Sequence, residues 1–324
     1  MLLPPHEFIK PATLQECLQQ LHASQGETKL LAGGTDVIFN MRGRLFQPDV
    51  LLSLRELPEL QEIGELPDGR LALGAGCRLT DLEVHPLVQR YPGLVSSLRA
   101  VASRHVRNMG TLGGNLNLDT RCWYTNQTAE WREAKGPCLK TGEPVCHAIK
   151  SSAICVALNA SDTAPALLAL EAEVLLASAA GERTVPLTEF YTEDGINHTV
   201  RQPDEIMVKV LLPAPTGRMV YLKETARKGN DFAYATIAVH ADGEGERCSH
   251  MNIVLGSLTT RPLHLHETEA VLLRDGLGDA AIAAAVGKVR DELGALTNLY
   301  TPATYKGRIA QALVKAALVQ LRGM

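Results

Sequence analysis

The sequence predicts an α+β protein, with a large mixed body followed by a smaller sheet-and-helix domain. Three observations carry this expectation. Short strand-like runs alternate with capped helical stretches in the body. Pro213-Ala214-Pro215, followed by Thr216-Gly217, makes the best linker in the chain. Beyond it, two extended stretches precede three helical ones.

In chain order, Thr13-Leu14-Gln15-Glu16 reads as a capping box, and Leu14, Cys17, Leu18 and Leu21 then share one helix face. Lys29-Leu30-Leu31 reads as a strand running into a glycine turn, and Asp36 to Met41 as the helix after it. Asp49 to Leu54 and Leu71 to Ala75 read as strands, and Thr80-Asp81-Leu82-Glu83 as a second capping box. Leu94 to Ala102 reads as a helix leading to a second glycine turn. From about Asn117 to Asn159 the regular pattern stops. It returns at Ser161-Asp162-Thr163-Ala164-Pro165, with strands at Glu173 to Ala177 and Ile206 to Leu212. After the linker, Met219 to Asp231 and Ser249 to Leu255 read as extended. Helices follow near His266 to Arg274, Asp279 to Leu293 and Pro302 to Leu321, with Pro302 near a first turn that tolerates it.

The 324 residues suffice for two or three domains with real cores. A net charge of −4 disfavours nucleic acid and anionic membrane as partners, and 4% aromatics leave few stacking platforms. No apolar run approaches the roughly 20 residues of a membrane span, and the first residues lack a basic signal-peptide region. A cytoplasmic location with reduced thiols is therefore expected.

The glycine turns are the first candidate site. Leu30-Leu31-Ala32-Gly33-Gly34-Thr35-Asp36-Val37 has a strand–turn–helix setting in which backbone N–H groups and a helix start can meet a diphosphate. Gly110-Thr111-Leu112-Gly113-Gly114-Asn115 adds a second paired-glycine turn. Neither fits Gly-x-Gly-x-x-Gly or the P-loop, so Rossmann and Walker sites are disfavoured. Each pair alone also fits an ordinary tight turn. Asp162 alone also fits a helix cap, and Lys223 and Arg227 alone also fit solvated surface charges.

Four motifs in order carry a resemblance: Ala32 to Asp36, Arg107 to Asn115, Ser161-Asp162 before Ala166 to Leu170, and Tyr221-Leu222-Lys223 with Arg227 and Asp231-Phe232-Ala233. Together they resemble the FAD subunit of the molybdenum hydroxylases, over nearly the whole chain. The resemblance implies a two-part FAD-binding domain of the vanillyl-alcohol-oxidase (PCMH) type over residues 1–214, divided at 55/56, and a CO-dehydrogenase-flavoprotein-like domain over 217–324. It implies that Lys29, Leu30, Leu31, Ala32, Gly33, Gly34, Thr35 and Asp36, with Thr111, Leu112, Gly113, Gly114 and Asn115, hold the diphosphate and ribityl chain. Asp162 would bind ribityl or ribose hydroxyls and Lys223 would lie near the isoalloxazine. Val101 and Met207 fall where the family makes apolar flavin contacts.

The family's second glycine loop reaches its aspartate within about a dozen residues, and long structureless loops are uncommon in compact domains. Here Asn115 and Asp162 are 47 positions apart. The insertion, about 117–159, holds Cys122, Cys138, Cys146 and Cys155 within 34 residues, while the rest of the chain has three cysteines. Three readings compete. Disulfides conflict with a reducing compartment. Structural zinc usually shows close Cys-x-x-Cys knuckles, and here 15, 7 and 8 residues intervene. A [4Fe-4S] cluster needs four thiolates converging from loop, with Gly136-Pro137, Gly142 and Pro144 supplying turns, and it would order a segment that has no hydrophobic pattern. The cluster reading fits best beside a flavin. His147 is expected as a neighbour of the ligands, and Trp123, Tyr124 and Trp131 as shielding. Cys17, Cys77 and Cys248 read as small buried hydrophobes.

Within the family, the cysteine segment resembles the β subunits of 4-hydroxybenzoyl-CoA reductases, on Arg121 to Gln127 and Cys138 to Gly142. It is also similar to flavin subunits of certain bacterial aldehyde oxidoreductases. The resemblance implies one subunit of a heterotrimer, doubled in the complex. Its partners would be a small subunit with two [2Fe-2S] clusters and a large molybdopterin subunit holding the substrate pocket. In the reductase case, ferredoxin supplies electrons through the cluster and FAD towards molybdenum, for dehydroxylation of 4-hydroxybenzoyl-CoA to benzoyl-CoA in aromatic compound degradation. In the aldehyde case, electrons flow outward. No catalytic triad, carboxylate pair or zincin motif occurs, so no catalytic residue is expected, nor activity of the isolated chain. Two other classes stay open. A self-contained flavin oxidase would need a substrate domain, for which the residues after Pro215 are few. The other is a zinc-ordered interaction subunit without redox function.

Overall fold

The computed structural model describes residues 2–24, 26–294 and 301–324. Strand β1 (Glu7–Ile9) leads to α1 (Leu14–Ala23), where the Thr13 hydroxyl accepts the Glu16 N–H and Cys17, Leu18 and Leu21 are buried. Strands β2 (Thr28–Leu31) and β3 (Val50–Ser53) follow, joined across α2 (Val37–Arg42). They form a parallel sheet in the order β1-β3-β2. The first glycine turn therefore sits at the carboxyl end of a parallel strand, entering a helix.

A five-stranded antiparallel sheet comes next, with β4 (Ile63–Glu65), β5 (Leu71–Gly74), β6 (Glu173–Ser178), β7 (Gly181–Pro186) and β8 (Ile206–Leu212) in the order β4-β5-β8-β6-β7. Its helices are α3 (Leu79–Val84), α4 (Pro92–Ala100), α5 (Arg104–Arg107), α6 (Leu112–Leu116), α7 (Ala129–Lys135), α8 (Ala164–Ala169) and α9 (Leu187–Phe190). Thr80 does not cap α3. The helix already starts at Leu79, whose N–H is held by the Gly110 carbonyl at 2.9 Å. A tertiary bond thus fixes the start that local sequence placed one turn position later. Inside the irregular insertion, the Thr128 hydroxyl accepts the Trp131 N–H and α7 forms.

The last sheet is β12-β11-β10-β9, from β9 (Arg218–Thr225), β10 (Ala233–Glu244), β11 (Arg247–Gly256) and β12 (Leu263–His264). Helices α10 (His266–Asp275), α11 (Asp279–Glu292) and α12 (Ala303–Arg322) complete it. The long strand β10 is absent from the sequence expectation. It is buried on both faces and interspersed with alanines, so it lacks the polar–apolar alternation that marks a half-exposed strand.

That double burial joins the two parts of the chain. Val220, Ile237, Val239 and Ile253 pack with the terminal helices, while Met219, Tyr221, Ala238 and Val254 join the core of the body. Successive strand residues point to opposite faces, so one sheet serves both cores. The seam is close. A Cβ on Gly93 would lie 2.5 Å from the Met219 sulfur, and the Tyr91 hydroxyl donates to the Pro213 carbonyl at 2.6 Å. No described helix is long and apolar enough to cross a membrane.

Candidate functional site

The two glycine turns meet back to back. A Cβ on Gly33 would overlap the Met109 carbonyl, and it would lie 2.6 Å from that carbonyl's carbon and 3.0 Å from Gly110 Cα. Gly34 adopts φ +73°, a conformation that side chains resist. Among the described residues, the N–H groups of Gly33, Gly34, Thr35 and Asp36 have no backbone or side-chain acceptor. Four clustered orphan donors at a strand–helix turn are what a diphosphate requires. The second turn differs. Leu112 N–H goes to Cys77 O, Gly113 N–H to Ala75 O, Gly114 N–H to the Thr111 hydroxyl and Asn115 N–H to Thr111 O. Its glycines bring backbones together: a Cβ on Gly113 would lie 2.7 Å from Ala75 Cβ.

Asn115 ties this turn to the Ser161–Thr163 segment. Its Oδ1 accepts the hydroxyls of Ser161 at 2.8 Å and Thr163 at 2.7 Å, and the Thr163 N–H at 3.2 Å. Asp162 makes no side-chain cap to α8. Instead its Oδ2 accepts from Lys223 Nζ at 2.8 Å, and Lys223 also donates to the Ala100 carbonyl at 2.9 Å. Both side chains are about nine-tenths buried, so Lys223 is no surface charge. Burial pushes the Asp162 carboxyl up to about 6, against the pull of Lys223. Beside them the Tyr221 hydroxyl is buried without a well-angled hydrogen bond. Arg227, by contrast, is exposed and pairs with Asp231.

Val101 follows Ala100, and its carbonyl accepts from Arg107 at 2.9 Å. The Met207 sulfur lies 3.6 Å from Asn117 Nδ2, which also donates to Gly113 O at 2.8 Å. Leu30 and Ala32 pack on the small core beneath the first sheet, and the Leu31 carbonyl accepts the Leu54 N–H. Two side chains of the first loop turn elsewhere. Lys29 pairs with Glu27 at 3.6 Å and lies over Phe46, while Asp36 pairs with Arg121 and Asn40. Any contribution they make to an anion is through the backbone. Arg121 was not anticipated as a site residue. It joins Asp36 of the first turn to Phe232 of the terminal domain, with its guanidinium 5.5 Å from that ring's centroid. Burial lowers it to about 10, which leaves it charged at neutral pH. No local signal links residues 36, 121 and 232.

Arg121 also starts the cysteine segment. Its N–H and carbonyl pair with Leu158 at 2.8 Å each, closing the neck of the insertion. Cys122, Cys138, Cys146 and Cys155 converge on one small cavity, also lined by Tyr124, Lys140 and His147. The space between them is about 260 Å³ where it opens outward. All seven cysteines are free thiols.

Donors face two of the four sulfurs: Ile149 N–H lies 3.4 Å from Cys146. The Thr125 and Thr141 hydroxyls lie 3.6 Å from Cys138. Burial pushes the Cys155 thiol up to about 11 and raises Cys122 as well. A bound metal would have to displace those protons. Lys140 donates to Asp119, Thr120 O and the Thr120 hydroxyl, placing a cation in the cavity wall. His147 Nε2 lies 3.1 and 3.0 Å from the Gly136 and Pro137 carbonyls, so it carries the proton and braces the turn before Cys138. Tyr124 does wall the cavity, whereas Trp123 is 42% exposed and Trp131 stands behind Tyr124 at 6.5 Å between ring centroids. Burial pushes Cys17 to about 12 and Cys77 to about 11, as expected of inert core thiols, and Cys248 is half-buried in β11.

Fold and site together define a flavin-binding protein. Residues 4–215 match the family model of the FAD binding domain in molybdopterin dehydrogenase, and residues 220–321 match that of the CO dehydrogenase flavoprotein C-terminal domain. The chain belongs to this family, the FAD-binding medium subunits of the molybdenum hydroxylases. It is 31% identical to the aldehyde oxidoreductase FAD-binding subunit PaoB of Escherichia coli, over 91% of each chain. It is 28% identical to the carbon monoxide dehydrogenase medium chain of Hydrogenophaga pseudoflava, over 98% of this chain and 97% of that one. The solved carbon monoxide dehydrogenase of that organism superposes with a TM-score of 0.81, covering 98% of both chains at 28% identity.

Proposed function

We propose that this chain is the electron-relay subunit of a molybdenum-flavin-iron-sulfur complex, holding FAD at the glycine turns and a [4Fe-4S] cluster at Cys122, Cys138, Cys146 and Cys155. When bound, the two cofactors would exchange electrons with each other and with the partner subunits' centres. In this reading the first turn donates N–H groups to the diphosphate, the second frames it, and Asp162 accepts hydroxyls of the ribityl or ribose. Lys223 keeps Asp162 ionised and in place, while Val101 and Met207 offer apolar surface to the ring. Arg121 fixes the distance between the flavin loop and the cysteine segment.

The observation that carries the cluster reading is the convergence of four free thiols on one cavity. Their spacing favours a cluster over one ion. A tetrahedral zinc with Zn–S bonds of about 2.3 Å holds its sulfurs about 3.8 Å apart. Among the described residues, the group of three or more ligand atoms within 4.8 Å of one another is His264, His266 and Glu269, not the cysteines. Iron analysis tests the reading. The purified chain should carry about four irons, and Cys138→Ser and Cys146→Ser should lose them and keep flavin. One tightly held zinc in place of iron would sink it.

The substrate lies with a partner chain. Outward electron flow from an aldehyde is favoured by the 31% identity to an aldehyde oxidoreductase subunit. Inward flow from ferredoxin to 4-hydroxybenzoyl-CoA rests on the resemblance of the Arg121–Gln127 and Cys138–Gly142 stretches, with the extra cluster as the reason for reversal. The complex purified with its large and small subunits decides between them: aromatic aldehyde oxidation supports the first, and ferredoxin-driven dehydroxylation the second. If Cys138→Ser and Cys146→Ser removed the cluster but left that dehydroxylation intact, inward flow through the cluster would be excluded.

A further inference from the structure

The terminal domain carries a second set of metal-ligating side chains, which neither the flavin loops nor the cysteine segment uses. We propose that His264, His266 and Glu269 form a binding site for a divalent transition-metal ion of the zinc type. His264 ends β12, and His266 and Glu269 lie in the first turn and a half of α10. A separation of three residues puts His266 and Glu269 on the same helix face. The tight strand-to-helix connection through Leu265 brings His264 onto that face. The three ligand atoms all lie within 4.8 Å of one another.

The distances suit one small ion. Nδ1 of His266 lies 3.3 Å from Oε2 of Glu269, and Nε2 of His264 lies 2.7 Å from Oε1. Ligands about 2.0–2.1 Å from a tetrahedral zinc are about 3.3–3.4 Å apart, so one pair already fits and the other must open by about 0.6 Å. The short contact is also unsatisfied: His264 Nε2 is buried there and makes no hydrogen bond of acceptable geometry. Two electron-rich atoms converging in this way call for a cation between them. Glu269 is held in position by the Ile253 N–H of β11, the outer-shell support that ligand carboxylates receive.

Two imidazoles and one carboxylate carry a single negative charge. They suit zinc, nickel or copper better than calcium or magnesium, which prefer oxygen ligands. His264 and Glu269 are largely buried, while His266 is 76% exposed in its side chain. A fourth position therefore opens to water, and the ion would staple the last strand of the sheet to α10. An ion pair between Glu269 and a protonated histidine is the competing account, and it requires no metal.

The test uses the full flavin-loaded chain. It is equilibrated with micromolar zinc chloride and dialysed, and zinc, iron and flavin are then counted per chain. The wild type should retain one zinc more than His266→Ala, with iron and flavin equal in both. Because His266 is exposed, that variant should fold, and His264→Gln should reproduce its loss. Zinc should also raise the melting temperature of the wild type and leave that of His266→Ala unchanged. Equal zinc in wild type and both variants, or none in any of them, would overturn the site in favour of the ion pair.

Discussion

Replacing Lys223 by Met breaks its buried pair with Asp162, which lies at the proposed flavin site. The pair is short, 2.8 Å, with side-chain exposures of 11% and 9%, and Lys223 also satisfies the Ala100 carbonyl. Removing one partner of a buried ion pair costs about 3–5 kcal/mol, because the other charge is left unpaired in a poorly solvated place. For a body of this size, that is a fall in melting temperature of roughly 6–20 °C. The sign of the pH dependence follows from Asp162. Burial already holds its folded-state value at about 6, above the unfolded value, and losing Lys223 raises it further. A carboxyl raised in the folded state stabilises below its unfolded pKa, and that contribution is lost as pH rises through the folded value. The wild type completes this loss near pH 6. The variant continues to lose about 1.4 kcal/mol per pH unit above it, until its own higher value is passed. Thermal or urea unfolding of both proteins at pH 6, 7 and 8 measures the difference. The gap should widen with pH, and Asp162→Asn combined with Lys223→Met should recover much of the loss. A gap independent of pH, or a double variant as weak as the two single losses added, would refute the reasoning.

Gly33→Ala sets a methyl against the backbone carbonyl of Met109, which has no side-chain freedom to yield. Flavin content, read from absorbance per protein, should fall to a small fraction of the wild type. Lys140→Met removes the cation in the wall of the cysteine cavity and frees Asp119 from its partner. The potential of the proposed cluster should drop on the order of tens of millivolts in a redox titration followed by EPR, and an unchanged potential would place Lys140 outside its field. His147→Ala removes the brace on the Gly136-Pro137 turn. Iron should become labile to chelators while flavin stays bound; equal chelation rates would show that the turn holds without it.

Local patterns were legible wherever one face of an element meets a core and the other meets solvent. Thr13 caps α1, Ile206–Leu212 is a strand, and the terminal helices begin and end near their expected residues. β10 escaped because it is buried on both sides, and Thr80 failed as a cap because Gly110 already holds Leu79. The Asp162 cap and surface Lys223 readings were both reasonable in isolation. They fell together, because each residue is the other's partner across 61 positions.

The sequence by itself determined the flavin family, through the order of its four motifs, and marked the insertion by its cysteine density. Both are read from residue identities and their order along the chain, without any contact between segments. Only the tertiary structure decided that Gly33 rests on Met109, that its loop keeps free N–H groups while the second loop's are already bonded, and that Arg121 joins three distant segments. It alone brought His264 and His266 against Glu269. Those outcomes depend on distances between segments far apart in sequence, which hydrophobic periodicity and capping chemistry do not encode.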